Sequence, residues 1–196
     1  MWKKEVIILA NTDLRVQKTK KILKENIKQM LLEMDYDKIQ IKELCDRSMI
    51  NRRTFYTHYN TLDDLLHEVL DDIADDFLKY TSGYDHFADP DKMVKDWFYF
   101  TNSNPLFEKI NNNLDYNHIR EILNKKVVGR GTANFKSISN YDIYTVKLIA
   151  TYLNSSAVNM YRQWCVDGKK IPIEKAIEIS TKLIKNGILS MTKGSN

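Results

Sequence analysis

A chain of 196 residues with 43% hydrophobic and 29% charged side chains can close a core beneath a solvated surface, as one small domain plus a larger helical bundle or as one large domain. No apolar run approaches the ~18 residues a membrane helix needs, and the opening MWKKEVIIL is too short and too soon interrupted to be a signal peptide, so a cytoplasmic protein is expected. The net charge of +4 excludes little by itself, while six Gly and three Pro favour long helices.

In chain order, residues 1–14 read as an arm of uncertain structure. A first helix is predicted over Gln17–Met34, with an apolar stripe of Leu23, Ile27, Met30, Leu31 and Met34 and a basic side of Lys18, Lys20, Lys21, Lys24 and Lys28. A short amphipathic helix follows over Ile41–Arg47, burying Ile41, Leu44 and Cys45, and then a tight turn. A second short helix, Asn51–Tyr59, starts with two arginines and is aromatic along its length. Two short helices joined by a few residues, the second with Arg at its entrance, have the layout of a DNA-reading helix-turn-helix.

The faces of that second helix can be assigned at 100° per residue. Phe55 and Tyr59 fall together and point into the core. Arg53 and Thr57 lie opposite, Thr54 and Tyr56 flank them, and Arg52 sits at the entrance. Asn51 is a good N-cap. Cations in the first turn oppose the helix dipole, and a local conflict of this kind marks a functional site when an external polyanion would relieve it. Arg offers donors to guanine, Thr a methyl to thymine, and the hydroxyls bonds to phosphate. The DNA-binding set read here is Gln40, Lys42, Asn51, Arg52, Arg53, Thr54, Tyr56, Thr57 and His58.

These residues carry a family resemblance. Asp35-Tyr36 stands where a "GY" or "PY" pair stands, Ile39 through Leu44-Cys45 where a "T-x-x-x-IA" helix stands, and Asn51–Tyr59 where "S-x-x-T-[LF]-Y-x-H-[FY]" stands. Thr19–Leu70 thus resembles the N-terminal DNA-binding domain of TetR/AcrR-type transcriptional regulators. The segment Asp13–Leu23 and the wording INRRTFYTHY are most similar to the subgroup typified by the dihydroxyacetone-kinase activator DhaS. The resemblance implies that Arg52, Arg53, Thr54 and Tyr56 touch bases or phosphates, that His58 bonds a phosphate, and that Gln40 and Lys42 are lesser phosphate contacts. Two departures stand out. Met49 replaces the usual turn Gly, so the turn is either wider or holds a strained left-handed residue. Leu62 replaces a usual Lys, removing one backbone contact.

A fourth helix begins at Leu62, capped by Thr61, with a stripe of Leu62, Leu65, Leu66, Val69, Leu70, Ile73 and Phe77. Residues 15–62 hold 11 Lys/Arg against 6 Asp/Glu, whereas residues 63–80 hold 7 acids against Lys79. That polarity points the basic block at DNA. Tyr80–Asp89 reads as a boundary. Asp89-Pro90 and Asn104-Pro105 each open a helix, giving helices near 90–102, 105–113 and 115–127. Gly129–Asn140 reads as a flexible loop. Two long helices finish the chain, Tyr141–Val166 and Pro172–Met191, with more apolar surface than one bundle face uses. In the resembled family such a pair forms a four-helix dimer interface.

The resulting expectation is an all-α, two-domain, TetR-like chain: an arm (1–14), a three-helix helix-turn-helix domain (15–62), a connecting helix (63–80) and an antiparallel helical bundle for effector binding and dimerisation (81–196). Its partners are a palindromic duplex operator, a second copy held through the last two helices, and a small-molecule effector or a protein. The expected function is a homodimeric, effector-controlled repressor, with an activator subunit that docks a protein partner as the alternative. Four consecutive aromatics, Trp97–Phe100, cannot all face one core, and a pocket is assigned to Trp97, Phe100, Phe107, Tyr116, Tyr152, Tyr161 and Trp164. Cys45 and Cys165 lie inside apolar patterns and read as buried reduced thiols. No metal-ligand spacing, phosphate loop or nucleophile motif emerges, so neither enzyme activity nor a cofactor is expected.

Overall fold

A computed structural model describes residues 2–131, 138 and 140–192, with side chains described within 14–130, 138 and 140–187. Among the described residues the regular structure is entirely helical: α1 (Trp2–Glu33), α2 (Ile41–Arg47), α3 (Arg52–Tyr56), α4 (Leu62–Tyr80), α5 (Pro90–Ser103), α6 (Pro105–Asn112), α7 (Asn117–Gly131), α8 (Ile143–Val166) and α9 (Ile173–Thr192), with single 3₁₀ turns at Tyr36–Lys38 and Leu114–Tyr116. The chain forms two compact units that divide between Leu70 and Asp71, inside α4.

The arm expected over residues 1–14 is instead helical from Trp2, as the beginning of α1. No Gly or Pro interrupts Trp2–Glu33, so nothing in the local sequence stops the helix. The loop expected over Gly129–Asn140 starts later than its first residues suggested, because α7 runs to Gly131; residues 132–137 and 139 lie outside the described residues.

In the first unit, Leu23, Ile27, Met30 and Leu31 of α1, Leu44 and Cys45 of α2, Phe55 of α3, and Leu65, Leu66, Val69 and Leu70 of α4 are all buried. They share one core, as the 3.6-residue stripes require. α4 is fixed at its start by a reciprocal cap: the Asp64 amide donates to Thr61 Oγ1 at 3.1 Å, and Asp64 Oδ2 accepts the amides of Asn60 and Thr61 at 2.9 and 3.0 Å.

The turn between α2 and α3 holds a left-handed residue, Met49, at φ 52°. The Ile50 amide donates to Cys45 O at 3.0 Å and the Met49 amide to Asp46 O at 3.2 Å, the paired bonds of a Schellman C-cap. That motif calls for Gly at Met49, where a side chain costs roughly 1–2 kcal/mol of local strain. Met49 is 93% exposed and recovers nothing by packing.

One polar cluster ties the first unit together. Glu68 of α4 accepts from Tyr59 Oη at 2.8 Å and from Lys20 Nζ at 3.0 Å, with Lys24 Nζ at 3.4 Å. Lys20 also lies 5.1 Å from the centre of the Tyr59 ring. Partial burial pushes the Glu68 carboxyl up, but the bonds from Tyr59 and Lys20 outweigh it and hold the group below the ordinary carboxylate range.

The second unit is built around α5, which packs on α6, α8 and α9. Being surrounded, it buries three of its four consecutive aromatics, Trp97, Phe98 and Phe100. Phe77 stacks on Phe107 at 5.6 Å and meets Trp97 and Phe100 edge-on, both at 5.2 Å. Phe98 meets Tyr161 of α8 edge-on at 5.1 Å. Such pairs contribute about 0.5–1.5 kcal/mol each beyond the area they bury. Asp89 caps α5 through the Lys92 amide at 3.0 Å, and Asp142 caps α8 through the amides of Tyr144 and Thr145. Asp142 therefore sets the start of α8 at Ile143 rather than Tyr141. Asp71 of α4 is gripped by Lys126 at 2.6 Å and by Arg130, and Asp75 by Arg130 at 2.7 Å.

Two stability effects are expected. Met49→Gly removes the left-handed strain but loosens the unfolded chain, for a net gain of about 0.5–1 kcal/mol; a urea midpoint that stays put or falls rules the strain out. Because the Glu68 carboxyl is depressed in the fold, its contribution is present above pH 4.5 and is lost as pH falls through its lowered folded value. Glu68→Gln is expected to lose about 1–2 kcal/mol at pH 7, reduced by solvent screening of a partly exposed cluster, and to flatten the acid limb of the stability curve. An unchanged acid limb would contradict this role.

Candidate nucleic-acid interface

α3 is shorter than the Asn51–Tyr59 span read from the sequence: it has five residues, Arg52–Tyr56. The periodicity nevertheless orients the whole segment, because the Tyr59 amide still donates to Phe55 O at 3.0 Å. Phe55 and Tyr59 are buried with ring centres 5.8 Å apart. The opposite face is open: Arg52, Arg53, Tyr56 and Thr57 are exposed, and Thr54 and His58 half-buried. Gln40 and Lys42, at the entrance of α2, are exposed as well. In so short a helix little dipole accumulates, so the opposition between the two arginines and the helix end is weaker than the longer span implied.

Two of the singled-out side chains are used by the fold itself. Asn51 Oδ1 accepts from the Thr54 amide at 2.7 Å and from Thr54 Oγ1 at 3.0 Å. This pair closes the first turn and leaves the hydroxyl of Thr54 committed. Thr57 Oγ1 donates to Thr54 O at 2.6 Å, so its methyl is the part left to meet a partner.

The ion pairs sort the basic residues of this unit into two groups. Arg47 is held by Glu33 at 2.5 Å and Glu43 at 2.8 Å, and the bond from Arg47 draws the Glu33 carboxyl below its usual range. Lys20 and Lys24 share Glu68, Lys21 meets Glu25 at 3.8 Å, and Lys38 meets Asp35 at 2.7 Å. Among the described residues, Arg15, Lys18 and Lys28 of α1 and Lys42, Arg52 and Arg53 of the helix-turn-helix make no ion pair. The acidic block on α4 is also largely engaged: Asp63 accepts from Tyr36 Oη at 2.5 Å, Asp64 caps, Glu68 binds two lysines, and Asp71 and Asp75 pair with α7. Tyr36 is correspondingly hard to ionise, through burial and then its bond to Asp63.

The seven aromatics assigned to a pocket are not brought together. A narrow cavity of about 50 Å³ lies in the second unit, walled by Phe77, Met93, Trp97, Val127, Ala150 and Ala157 among others. Of the seven, Trp97 alone lines it. Phe100 and Phe107 pack against each other at 5.1 Å. Tyr116 is buried, with Lys109 5.4 Å from its ring centre. Tyr161 is buried against Phe98, and Trp164 Nε1 donates to Ile171 O at 2.8 Å on the edge of a separate groove between α8 and α9. Tyr152 is exposed and lies across Gly187, where a Cβ would come within 2.6 Å of its hydroxyl. Beyond Phe77 and His86, the cavity walls that the sequence reading missed are mostly small or aliphatic. Ala150, Leu153 and Ala157 recur on one face of α8, a weak signal beside the aromatics.

Cys45 is buried and Cys165 half-buried, and burial pushes both thiols up. No group of metal-ligating side chains occurs among the described residues, and none of the described helices is long and apolar enough to cross a membrane.

No protein-family model matches the sequence, and no curated protein matches it either. Its shape is similar to solved structures. One is the fatty acid degradation regulator FadR from Bacillus halodurans, with TM-score 0.62 and 12% identity over 84% of this chain and 93% of that one. Another is a TetR-family transcriptional regulator from Streptomyces coelicolor, with TM-score 0.60 and 14% identity over 92% of this chain and 84% of that one. The chain therefore has a TetR-like, all-α fold.

Proposed function

We propose that the chain is a sequence-specific DNA-binding transcriptional regulator of the TetR type, a homodimeric repressor whose hold on its operator is modulated by a small-molecule effector. The observation that carries this reading is an exposed cationic surface left without acids: Lys42, Arg52 and Arg53 at the helix-turn-helix surface lack acidic partners among the described residues, whereas Lys38 and Arg47, at either end of the α2 segment, are paired. Exposed donors on a helix anchored from behind suit a polyanionic groove. The likeness to two regulators supports it.

In this reading Arg53, Tyr56 and the Thr57 methyl meet base edges in the major groove. Arg52, Lys42, Gln40 and His58 bind the sugar-phosphate backbone. Asn51 and Thr54 hold the helix entrance in shape. One five-residue helix offers few contacts, so a palindromic site read twice is needed for specificity. The dimer face is assigned to α8 and α9. Tyr144 and Leu148 are 76% and 73% exposed and continue through Tyr152 at helical spacing, and Ile179 and Leu183 of α9 are exposed too. Large apolar side chains in such a row mark an interaction surface.

Arg53→Ala is expected to weaken specific operator binding by about 1–3 kcal/mol with little change on random duplex, while Lys42→Ala weakens both and lowers the salt slope by roughly one. Operator sites come from genome-wide footprinting, and titrations at several salt concentrations check the split. Wild-type affinity in Arg53→Ala sinks the base-reading role. Leu148→Glu together with Leu183→Glu is expected to yield monomers in sedimentation and to abolish tight binding to the full palindrome; a persisting dimer moves the interface elsewhere.

A further inference from the structure

The cavity at Trp97 adjoins a second, open groove. The two share Val128 of α7 and Asn154 of α8 as walls. The groove measures about 560 Å³ and is lined mainly by polar and charged residues, with Arg120, Lys125 and Lys147 against one acid, Glu121. Glu121 is already engaged by Lys125 at 2.8 Å. Lys147 has no acidic partner among the described residues. Arg120 donates to Asn111 O at 3.1 Å and to Asn117, and burial, then the like charge of Arg162, pulls its guanidinium below the usual arginine range. An anion would relieve that crowding.

The inner cavity has the opposite character. Phe77, Met93, Val127, Ala150 and Ala157 make it mainly apolar, and His86, another wall, has its Nε2 hydrogen-bonded with Thr81 O at 2.9 Å. One of its walls carries an unsatisfied group: Trp97 is 2% exposed and its indole Nε1–H is buried with no hydrogen-bond partner among the described residues. A buried donor left unpaired is costly. At about 50 Å³ the cavity is well below the roughly 150 Å³ that accommodates benzene. It admits a chain end rather than a ring.

We infer that the second unit binds an aliphatic organic anion, its carboxylate in the groove of Arg120, Lys125 and Lys147 and its slender end, carrying one acceptor oxygen, in the cavity against Trp97. Asn154 stands where the two environments meet. The inference rests on the proposed effector control and names the effector's chemical class. It requires a flexible molecule that is anionic at one end and uncharged at the other, and it disfavours bulky aromatic ligands.

The test is direct binding to the full-length protein, by calorimetry and Trp fluorescence, with octanoate, 7-oxooctanoate, octanamide, acetate and 4-phenylbutyrate as probes. Octanoate and 7-oxooctanoate are expected to bind, the oxo acid more tightly, and the other three at least about tenfold more weakly than octanoate, since each lacks the charge, the chain or the slender end. Lys147→Gln, a surface change that leaves the fold alone, is expected to cost octanoate about tenfold. Trp97→Phe is expected to erase the advantage of the oxo acid. Ala157→Val, milder than a bulkier plug, is expected to weaken both chains. The inference is overturned if octanamide matches octanoate, if Lys147→Gln changes nothing, or if neither chain acid binds. Salt-dependent operator binding, measured on the same preparations, separates the two levels. If it persists without ligand binding, only the ligand class fails; if it is absent while the acids bind, the regulator reading fails and the site stands.

Discussion

A five-residue helix cannot hold its own shape in water, because forming a first turn fixes several residues for a single hydrogen bond. The whole proposed DNA-reading surface therefore depends on what stands behind α3. Phe55 is sunk in the core, and Tyr59, just past the end of the helix, is buried beside it and donates to Glu68. Glu68 is in turn clamped by Lys20 and Lys24 of α1. This links α1 to the distant α3–α4 segment, and it fixes the rotation of α3 about its axis. Arg52, Arg53 and Tyr56 project outward because Phe55 and Tyr59 cannot. The Asn51–Thr54 cap adds a local lock at the entrance, where fraying would otherwise cost the first arginine its position.

The same chemistry explains why the net charge of this segment is a poor guide to where a polyanion would sit. Several of its cations are neutralised within the unit, Arg47 by two glutamates and Lys20 and Lys24 by one. Surface pairs of this kind add little stability each, but they cancel field locally. On the α2–α3 segment the potential left over concentrates where no acid was placed, at Lys42, Arg52 and Arg53, while Arg15, Lys18 and Lys28 add unpaired charge along α1. The acidic run on α4 acts mostly through caps and ion pairs rather than as a free negative face. Position, rather than total charge, gives the surface its direction.

Much of the first unit was legible because its signals are local. Asn51, Thr61 and Asp64 announce helix starts, and the i, i+4 spacing of Phe55 and Tyr59 fixes a face even though α3 ends before Tyr59. The bounds of α2 follow from Ile41, Leu44 and Arg47 alone. Met49 was legible only as an anomaly, since a missing Gly says that a turn is unusual but not how. The early start of α1 was not legible because residues 1–14 read only as an arm of uncertain structure, although no Gly or Pro stops the helix there. In the second unit the elements were legible and their packing was not. Trp97–Phe100 looked like a pocket because one helix has only one side when considered alone; α5, packed on α6, α8 and α9, uses several. The cavity wall joins Phe77, Met93, Val127 and Ala150 from four helices, and no spacing along the chain encodes that meeting.

α8 has two faces with different tasks in the proposed function. Its inner face, Ala150, Leu153 and Ala157, walls the cavity. Its outer face carries Tyr144, Leu148 and Tyr152, the side chains assigned to the dimer. A chain end takes up a space of about 50 Å³, and anything thicker has to move a wall, since packed cores do not compress. α5 and α7 supply other walls, but each is held elsewhere: α5 by the aromatic cluster, α7 by Lys126 and Arg130 on Asp71. The α8 wall includes two alanines, Ala150 and Ala157, and the helix carries exposed Tyr144 and Leu148 on another face, so it is the side with room to yield. Any shift there is delivered to the face through which a second copy would be held, and a ligand that favours one setting of α8 over another biases the dimer by that difference in affinity and no more.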